Sequence, residues 1–136
     1  MRRRKPTVGS VVQLSLPDGT YAYGRVLKDA AVAFYETRTA APRQPPIGER
    51  RYAFVVGVYE DVLRADDVPV VGNDPSATPD EDWPPPFQVE DPISGSLSIY
   101  EQGSFRQATS AEASDLEPAA VWDREHLVNR LMTGRA

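Results

Sequence analysis

The sequence predicts an α+β, β-dominant fold. In this fold a C-terminal helix packs on a curved antiparallel sheet. An SH3-like barrel is one form that such a sheet can take. Three observations lead to this class. Short segments alternate between apolar and polar residues, turn residues separate them, and an amphipathic segment follows near the C-terminus. The 13 prolines among 136 residues also disfavour a helical bundle, because proline interrupts helices and central strands.

Domain organisation follows from length and charge. A chain of 136 residues with 40% apolar residues is long enough for one domain with a buried core. Residues 2–5 are all basic, which is typical of a flexible terminus. We therefore expect a flexible basic tail over residues 1–8 and a single α+β domain over residues 9–136.

The first two strands are predicted to form a β-hairpin over residues 11–27. Apolar residues alternate with polar ones in the first strand, at Val12, Leu14 and Leu16. Residues 17–20 (PDGT) have turn chemistry, and residues 21–27 (YAYGRVL) form the return strand. Gly24 within the return strand indicates a bulge or a second backbone packed close by.

Five further strands are predicted downstream. They cover residues 32–37, 52–59, 68–71, 96–100 and 104–107. The strand at 52–59 is apolar on both faces, so both faces should be covered. The strand at 68–71 contains a proline, which restricts it to a sheet edge. Residues 40–51 are predicted to be a loop, and most of residues 61–91 is predicted to be irregular.

The last predicted element is a helix. Asp115 or Ser114 is expected to cap its beginning. Pro118 suits an early helical position, and Gly134 suits the end. The apolar spacing predicts a buried stripe made of Val121, Val128, Leu131 and Met132, with Leu127 beside it.

Charge is distributed unevenly along the chain. Residues 1–64 carry 11 basic and 6 acidic side chains, whereas residues 65–136 carry 4 and 14. Between Arg64 and Arg106 lie 41 residues without Lys, Arg or His. This segment is predicted either to be a solvated acidic loop that folds against the basic half, or to be an acidic surface that attracts a basic partner.

Residue types that several chemistries require are missing. The chain has no cysteine and one histidine, His126, which excludes disulfides, thiol nucleophiles and Cys-based or multi-His metal sites within one chain. No nucleophile motif accompanies His126, and the acidic clusters lack EF-hand spacing. We therefore predict no enzyme activity, catalytic residue, metal or cofactor. The enzymatic alternative is a hydrolase with clustered carboxylates, which requires a carboxylate of raised pKa in a pocket.

Aromatic residues beside the acids offer a candidate binding feature. Residues 82–87 (DWPPPF) place two large rings around three prolines, which favours a polyproline-like path. Such a segment either covers the core as a lid or presents Trp83 as an interface anchor. The candidate partner-binding residues are Asp80, Glu81, Asp82 and Trp83.

An ordered series of motifs carries the clearest family signal. The series consists of residues 16–26 (LPDGTYAYGRV), 34–35 (FY), 54–59 (FVVGVY), 71–73 (VGN) and 85–87 (PPF), and of a tail with Trp122, His126 and Arg130. Across residues 9–131 it resembles the immunity protein 26 family of bacterial polymorphic toxin systems. The resemblance implies a non-enzymatic protein that binds and neutralises a cognate toxin by protein–protein contact. The acidic segment suits a basic toxin, for which a basic nuclease is the candidate. The resemblance supplies no catalytic residues.

The charge and apolar pattern of the chain also bear on its partners and its location. The alternative function is a small SH3-like adaptor for nucleic acid or nucleoprotein that uses the basic half. The acidic half would repel phosphate, so nucleic acid is not the expected partner. No stretch approaches ~20 consecutive apolar residues, so no membrane span is expected. No apolar signal-peptide core follows the basic residues 2–5, and we expect a cytoplasmic protein.

Overall fold

Two sheets and a C-terminal helix make up the fold, which is seen in a computed structural model of the 136-residue chain. The structure describes residues 6–40, 45–49 and 51–133. Strands dominate over helices, which confirms the predicted α+β class. The predicted tail and the loop at 40–51 lie partly outside the described residues, so the division at residue 8 stays a prediction.

The strands are numbered along the chain. Those of the first sheet are β1 (Ser10–Ser15), β2 (Tyr21–Val26), β3 (Ala31–Thr39), β4 (Tyr52–Val58), β5 (Val70–Asn73) and β10 (Val121–Trp122). Those of the second sheet are β6 (Phe87–Glu90), β7 (Leu97–Glu101), β8 (Ser104–Gln107) and β9 (Glu117–Pro118). The helices are the short α1 (Glu60–Leu63) and α2 (Ser110–Ala113) and the longer α3 (Arg124–Thr133), and a 3₁₀ turn covers Pro79–Asp82.

The first sheet has the order β10-β4-β3-β2-β1-β5. Strands β1 to β5 pair antiparallel with their neighbours, and β10 pairs parallel with β4 at the edge of the sheet. The order β5-β1-β2-β3-β4, with the single helical turn α1 before β5, is the strand order of an SH3-like barrel. The hairpin and the strands predicted at 32–37 and 52–59 are thereby confirmed. The strand predicted at 68–71 is also at an edge, although β5 begins two residues later, at Val70.

The second sheet has the order β8-β7-β6-β9 and was only partly predicted. β7 and β8 occur where the sequence predicts them, and they pair antiparallel across the turn at Gly103. β6 was not predicted, because it lies at the end of the segment 61–91 that the sequence predicts to be largely irregular. α2 begins with a capping box, in which Thr109 and Glu112 each accept a hydrogen bond from the other's backbone N–H.

The C-terminal helix begins later than predicted. α3 starts at Arg124, and Asp123 Oδ1 accepts a hydrogen bond of 2.9 Å from His126 N, so the expected caps Ser114 and Asp115 are wrong. Pro118 and Val121 lie in β9 and β10, because the chain before the helix pairs with the edges of both sheets. The predicted buried residues Val121 and Met132 are in fact exposed, whereas Leu127 and Leu131 are buried and Val128 packs against the core. The predicted end at Gly134 lies outside the described residues.

Both faces of the first sheet are covered. On one face, Leu127 and Leu131 of α3 pack against a cluster that includes Val12, Leu14, Val32, Phe34, Phe54, Val56 and Val58. Alternate residues of the same strands form clusters on the other face, around Val11, Tyr23 and Tyr35 and around Leu27, Ala31 and Ala33. This second face carries the candidate site.

Gly24 lies at a bulge, which is the first of the two alternatives that the sequence predicted, whereas the atoms packed closest to it belong to side chains and not to a second backbone. The β2–β3 register shifts between Ala22 and Gly24. A Cβ atom on Gly24 would lie 2.6 Å from Val32 Cγ1, so the neighbouring strand leaves no room for a side chain.

Candidate partner-binding site

Arg25 fixes the acidic segment against the first sheet. Its side chain, 1% exposed, lies on β2 and donates from Nε to the carbonyl of Asp74 at 2.7 Å. Its two terminal nitrogens donate to the Glu81 carbonyl and to Asp82 Oδ1, both at 2.9 Å. Lys28 N also donates to the Asp82 carbonyl at 2.8 Å. The 3₁₀ turn Pro79–Asp82 is therefore held in place by a buried cation.

Asp74 anchors the beginning of this segment. It is 1% exposed, and its Oδ2 accepts hydrogen bonds from the Tyr35 hydroxyl and from Gly48 N. Burial, followed by the hydrogen bond to Asp74 and by the charge of Asp74, raises the pKa of the Tyr35 hydroxyl. The hydroxyl therefore remains a proton donor, and the pair satisfies buried polar groups as a structural contact.

A groove of about 790 Å³ opens between the first sheet, the 3₁₀ turn and the β7–β8 turn. Its apolar floor and walls are formed by Leu27, Ala33, Tyr52, Val55, Trp83, Pro84 and Pro85. Its polar lining residues are Asp80, Glu81, Glu101 and Gln102. The groove thus combines an apolar, aromatic interior with three carboxylates from two separate elements. We call it the acidic groove.

Two carboxylates of the acidic groove also make contacts within the chain. Glu81 Oε2 accepts a hydrogen bond of 3.1 Å from Ala77 N. Glu101 pairs with Arg106 at 3.2 Å, but both side chains are exposed, and exposed ion pairs contribute little. Lys28 Nζ lies 4.8 Å from the centre of the Trp83 ring, within the range of a cation–π contact.

The structure brings together three of the four predicted site residues at the groove. Asp80, Glu81 and Trp83 line it, whereas the Asp82 carboxylate faces Arg25 and accepts from Ser76 Oγ at 3.2 Å. Pro84 is buried, which agrees with the lid interpretation, and Trp83 is half-buried at the groove. The interface-anchor role of Trp83 stays a prediction.

Sequence reasoning missed the rest of the groove. Tyr52 and Glu101 come from distant segments that only the sheet pairing brings near Trp83. One local signal was present, because Arg25 is a charged residue in a strand whose neighbours are otherwise uncharged. A charge in such a place requires a buried partner.

The other candidate residues have ordinary structural contacts. His126 is exposed, and its Nδ1 lies 2.8 Å from Asp123 Oδ1. Asp67 forms a two-bond ion pair with Arg124, at 2.8 and 2.7 Å. Within residues 6–40, 45–49 and 51–133, no group of three or more His, Asp or Glu side chains is arranged to hold a metal ion. In the same described part of the chain, no helix is long and apolar enough to cross a membrane.

The fold and the groove define a small β-dominant protein that offers a preformed acidic surface. A family model described as immunity protein 26 matches residues 7–98, and the chain belongs to this family. The family resemblance is thereby confirmed, and the tail motif with Trp122, His126 and Arg130 lies beyond the matched residues. Membership makes the chain an immunity protein with a toxin as its partner. No curated protein and no solved structure matches the chain.

Proposed function

We propose that this chain neutralises its cognate toxin by direct protein–protein contact, without catalysis, and that the acidic groove forms part of the contact surface. Membership of the immunity protein 26 family supports the first half of the proposal. The second half rests on one observation. Asp80, Glu81 and Trp83 line a concave surface whose shape is held from below by the buried Arg25.

Preorganisation is what makes this surface suitable for tight binding. Ordering a loop on association weakens affinity, whereas a wall already fixed by hydrogen bonds avoids that loss. Aromatic residues in partly buried pockets commonly dominate the free energy of protein association. Trp83 has this character, with acids on its flank that a basic partner would neutralise.

The charge of the groove favours a basic toxin surface. A basic nuclease fits this requirement, because such an enzyme carries cationic residues for its own substrate. The same carboxylates would repel a phosphate backbone, so the structure adds nothing in favour of a nucleic-acid adaptor. The proposed location is the cytoplasm, because a chain without cysteine suits a reducing compartment.

Co-expression with a toxin domain, taken from the reading frame next to this gene, tests the proposal. Cells that carry both proteins should survive, and the two chains should co-purify as a stable complex. Survival no better than with an empty vector would overturn the proposed function. Trp83→Ala should weaken the complex, whereas Tyr59→Ala, which removes an exposed aromatic residue outside the groove, should leave it unchanged.

A further inference from the structure

We infer that the acidic groove accepts an arginine side chain of the toxin, with the guanidinium against the aromatic rings and its N–H groups on the carboxylates. This inference rests on the proposed function and deepens it by naming the chemistry that the groove recognises. It follows from the composition of the lining, in which apolar surface and carboxylates occur together.

The apolar floor matches the body of an arginine. Leu27, Ala33 and Val55 provide an aliphatic surface for the three methylene groups, and Tyr52 and Trp83 provide ring faces. A planar guanidinium stacks on aromatic faces and is less strongly hydrated than an ammonium group, so it loses less on entering a partly apolar groove. These features select arginine over lysine.

The carboxylates match the charged end. A guanidinium has five N–H donors in a fixed fork, and it needs acceptors from more than one direction. Asp80 and Glu81 belong to the 3₁₀ turn, whereas Glu101 belongs to the end of β7 in the second sheet. The groove therefore offers negatively charged acceptors from two elements, so that the N–H donors of one guanidinium can meet carboxylates in more than one direction.

The protein already holds one of its own arginines with the same combination of groups. Arg130 lies 4.1 Å from the Phe54 ring centre and 5.3 Å from that of Trp122. Its guanidinium also makes two hydrogen bonds with Glu117, at 2.8 and 3.0 Å. Aromatic faces beside a carboxylate thus stabilise a guanidinium in this fold, and the acidic groove repeats that pairing on an open surface.

Lys28 is the intramolecular competitor. Its ammonium group lies over the Trp83 ring but on an exposed side chain, so a partner can displace it at little loss. Replacement of Lys28 by glutamine should therefore leave arginine binding intact or strengthen it.

An NMR titration with N-acetyl-arginine amide tests the inference. The indole N–H of Trp83 should shift with saturation at a millimolar Kd, roughly 1–10 mM for so small a probe. N-acetyl-citrulline amide has the same shape without the charge, and it should produce no saturable shift. A Trp83 signal that does not move, or that moves equally with both probes, overturns the inference.

Paired variants locate the binding. Asp80→Asn with Glu101→Gln should weaken arginine binding at least about threefold. Asp66→Asn with Glu125→Gln, which removes the same charges at exposed positions outside the groove, should leave it unchanged. Equal effects in the two double variants would contradict a site in the groove. Toxin rescue by the unaltered chain is a separate readout, so the inference fails alone if rescue persists without arginine binding.

Discussion

Arg25 and Asp82 form an ion pair of 2.9 Å in which the guanidinium is 1% exposed and the carboxylate 22% exposed. The same guanidinium donates to the backbone carbonyls of Asp74 and Glu81. Because its charge is buried, these acceptors replace the water that Arg25 loses on folding. One cation joins the first sheet to the wall of the acidic groove, so stability and groove geometry depend on the same contacts.

Replacement of Arg25 by methionine should destabilise the fold. Arg25→Met removes the guanidinium that donates to Asp82 Oδ1 and to two backbone carbonyls, and removal of one partner from a buried ion pair typically costs about 3–5 kcal/mol. Asp82 retains Ser76 and some water contact, so we expect a loss of about 3 kcal/mol. Urea unfolding measures the change. Asp82→Asn is the control, since its amide oxygen still accepts from Arg25, and an equally large loss in that variant would contradict the prediction.

Alkaline pH should weaken the fold through Tyr35. Its folded pKa is raised by burial and by Asp74, so the folded chain keeps a proton that the unfolded chain loses above about pH 10. The stabilisation is fully present below that pH and falls above it by about 1.4 kcal/mol per pH unit.

Tyr35→Phe removes this proton and should make the alkaline loss shallower by that amount. The variant is also less stable at neutral pH, by about 1–3 kcal/mol, because Asp74 loses a donor. Urea unfolding between pH 9 and pH 11 gives both values, and Tyr59→Phe is the matched variant with an exposed side chain. An unchanged slope in Tyr35→Phe would sink the explanation.

Local patterns in the sequence predict most strands, but they do not predict the two-residue strands that form only where a sheet edge is open. β1 to β5, β7 and β8 show alternation or turn chemistry within a few residues. β9 and β10 contain two residues each and exist only because β6 and β4 offer open edges. The expected helix over residues 115–123 gives way to these pairings, since tertiary contacts override helix propensity.

The candidate site shows the same division. Composition singled out Asp80, Glu81 and Trp83, because acids beside a tryptophan within a proline-rich segment are visible in the sequence. The inward role of Asp82 was not visible, since its partner Arg25 lies far away in the chain. The presence of Glu101 at the same groove depends on how the second sheet docks, which no local pattern encodes.

Gly24→Ala should destabilise the first sheet by overpacking. The new Cβ would lie 2.6 Å from Val32 Cγ1 and 3.3 Å from the Phe34 ring, so we expect a loss of about 1–3 kcal/mol. Val32→Ala removes the closest atom, and the penalty of Gly24→Ala should be smaller in that background. Gly19→Ala is the contrasting variant, because Gly19 has a φ of +86 and no atom within 4 Å of its Cβ position. Relief of the Gly19 penalty by Val32→Ala would contradict the steric account.

Arg130→Lys should loosen the contact between α3 and the second sheet. Arg130 makes two hydrogen bonds with Glu117 of β9, in a pair whose side chains are 21% and 22% exposed. Lysine cannot reproduce the two parallel bonds or the stacking on Phe54, so we expect a loss of about 1–2 kcal/mol. Arg124→Lys, which alters the exposed pair with Asp67, should cost less than about 1 kcal/mol. Similar losses in urea unfolding would show that burial does not distinguish the two pairs.

Neutralising the acidic groove should slow association with the toxin. Asp80→Asn with Glu81→Gln removes two carboxylates of the lining and leaves the ion pair of Asp82 intact. Electrostatic steering raises association rates by about 10–10³, so the rate constant should fall roughly tenfold at low ionic strength.

The same variant should also lose salt dependence, because screened charges are the ones that steer. Dissociation should change less, since it reports the contacts made after docking. Stopped-flow measurements across a salt series separate the two rates, with Asp66→Asn and Glu125→Gln as the control for net charge. If the groove variant and this control slow association equally, overall charge rather than the acidic groove attracts the toxin.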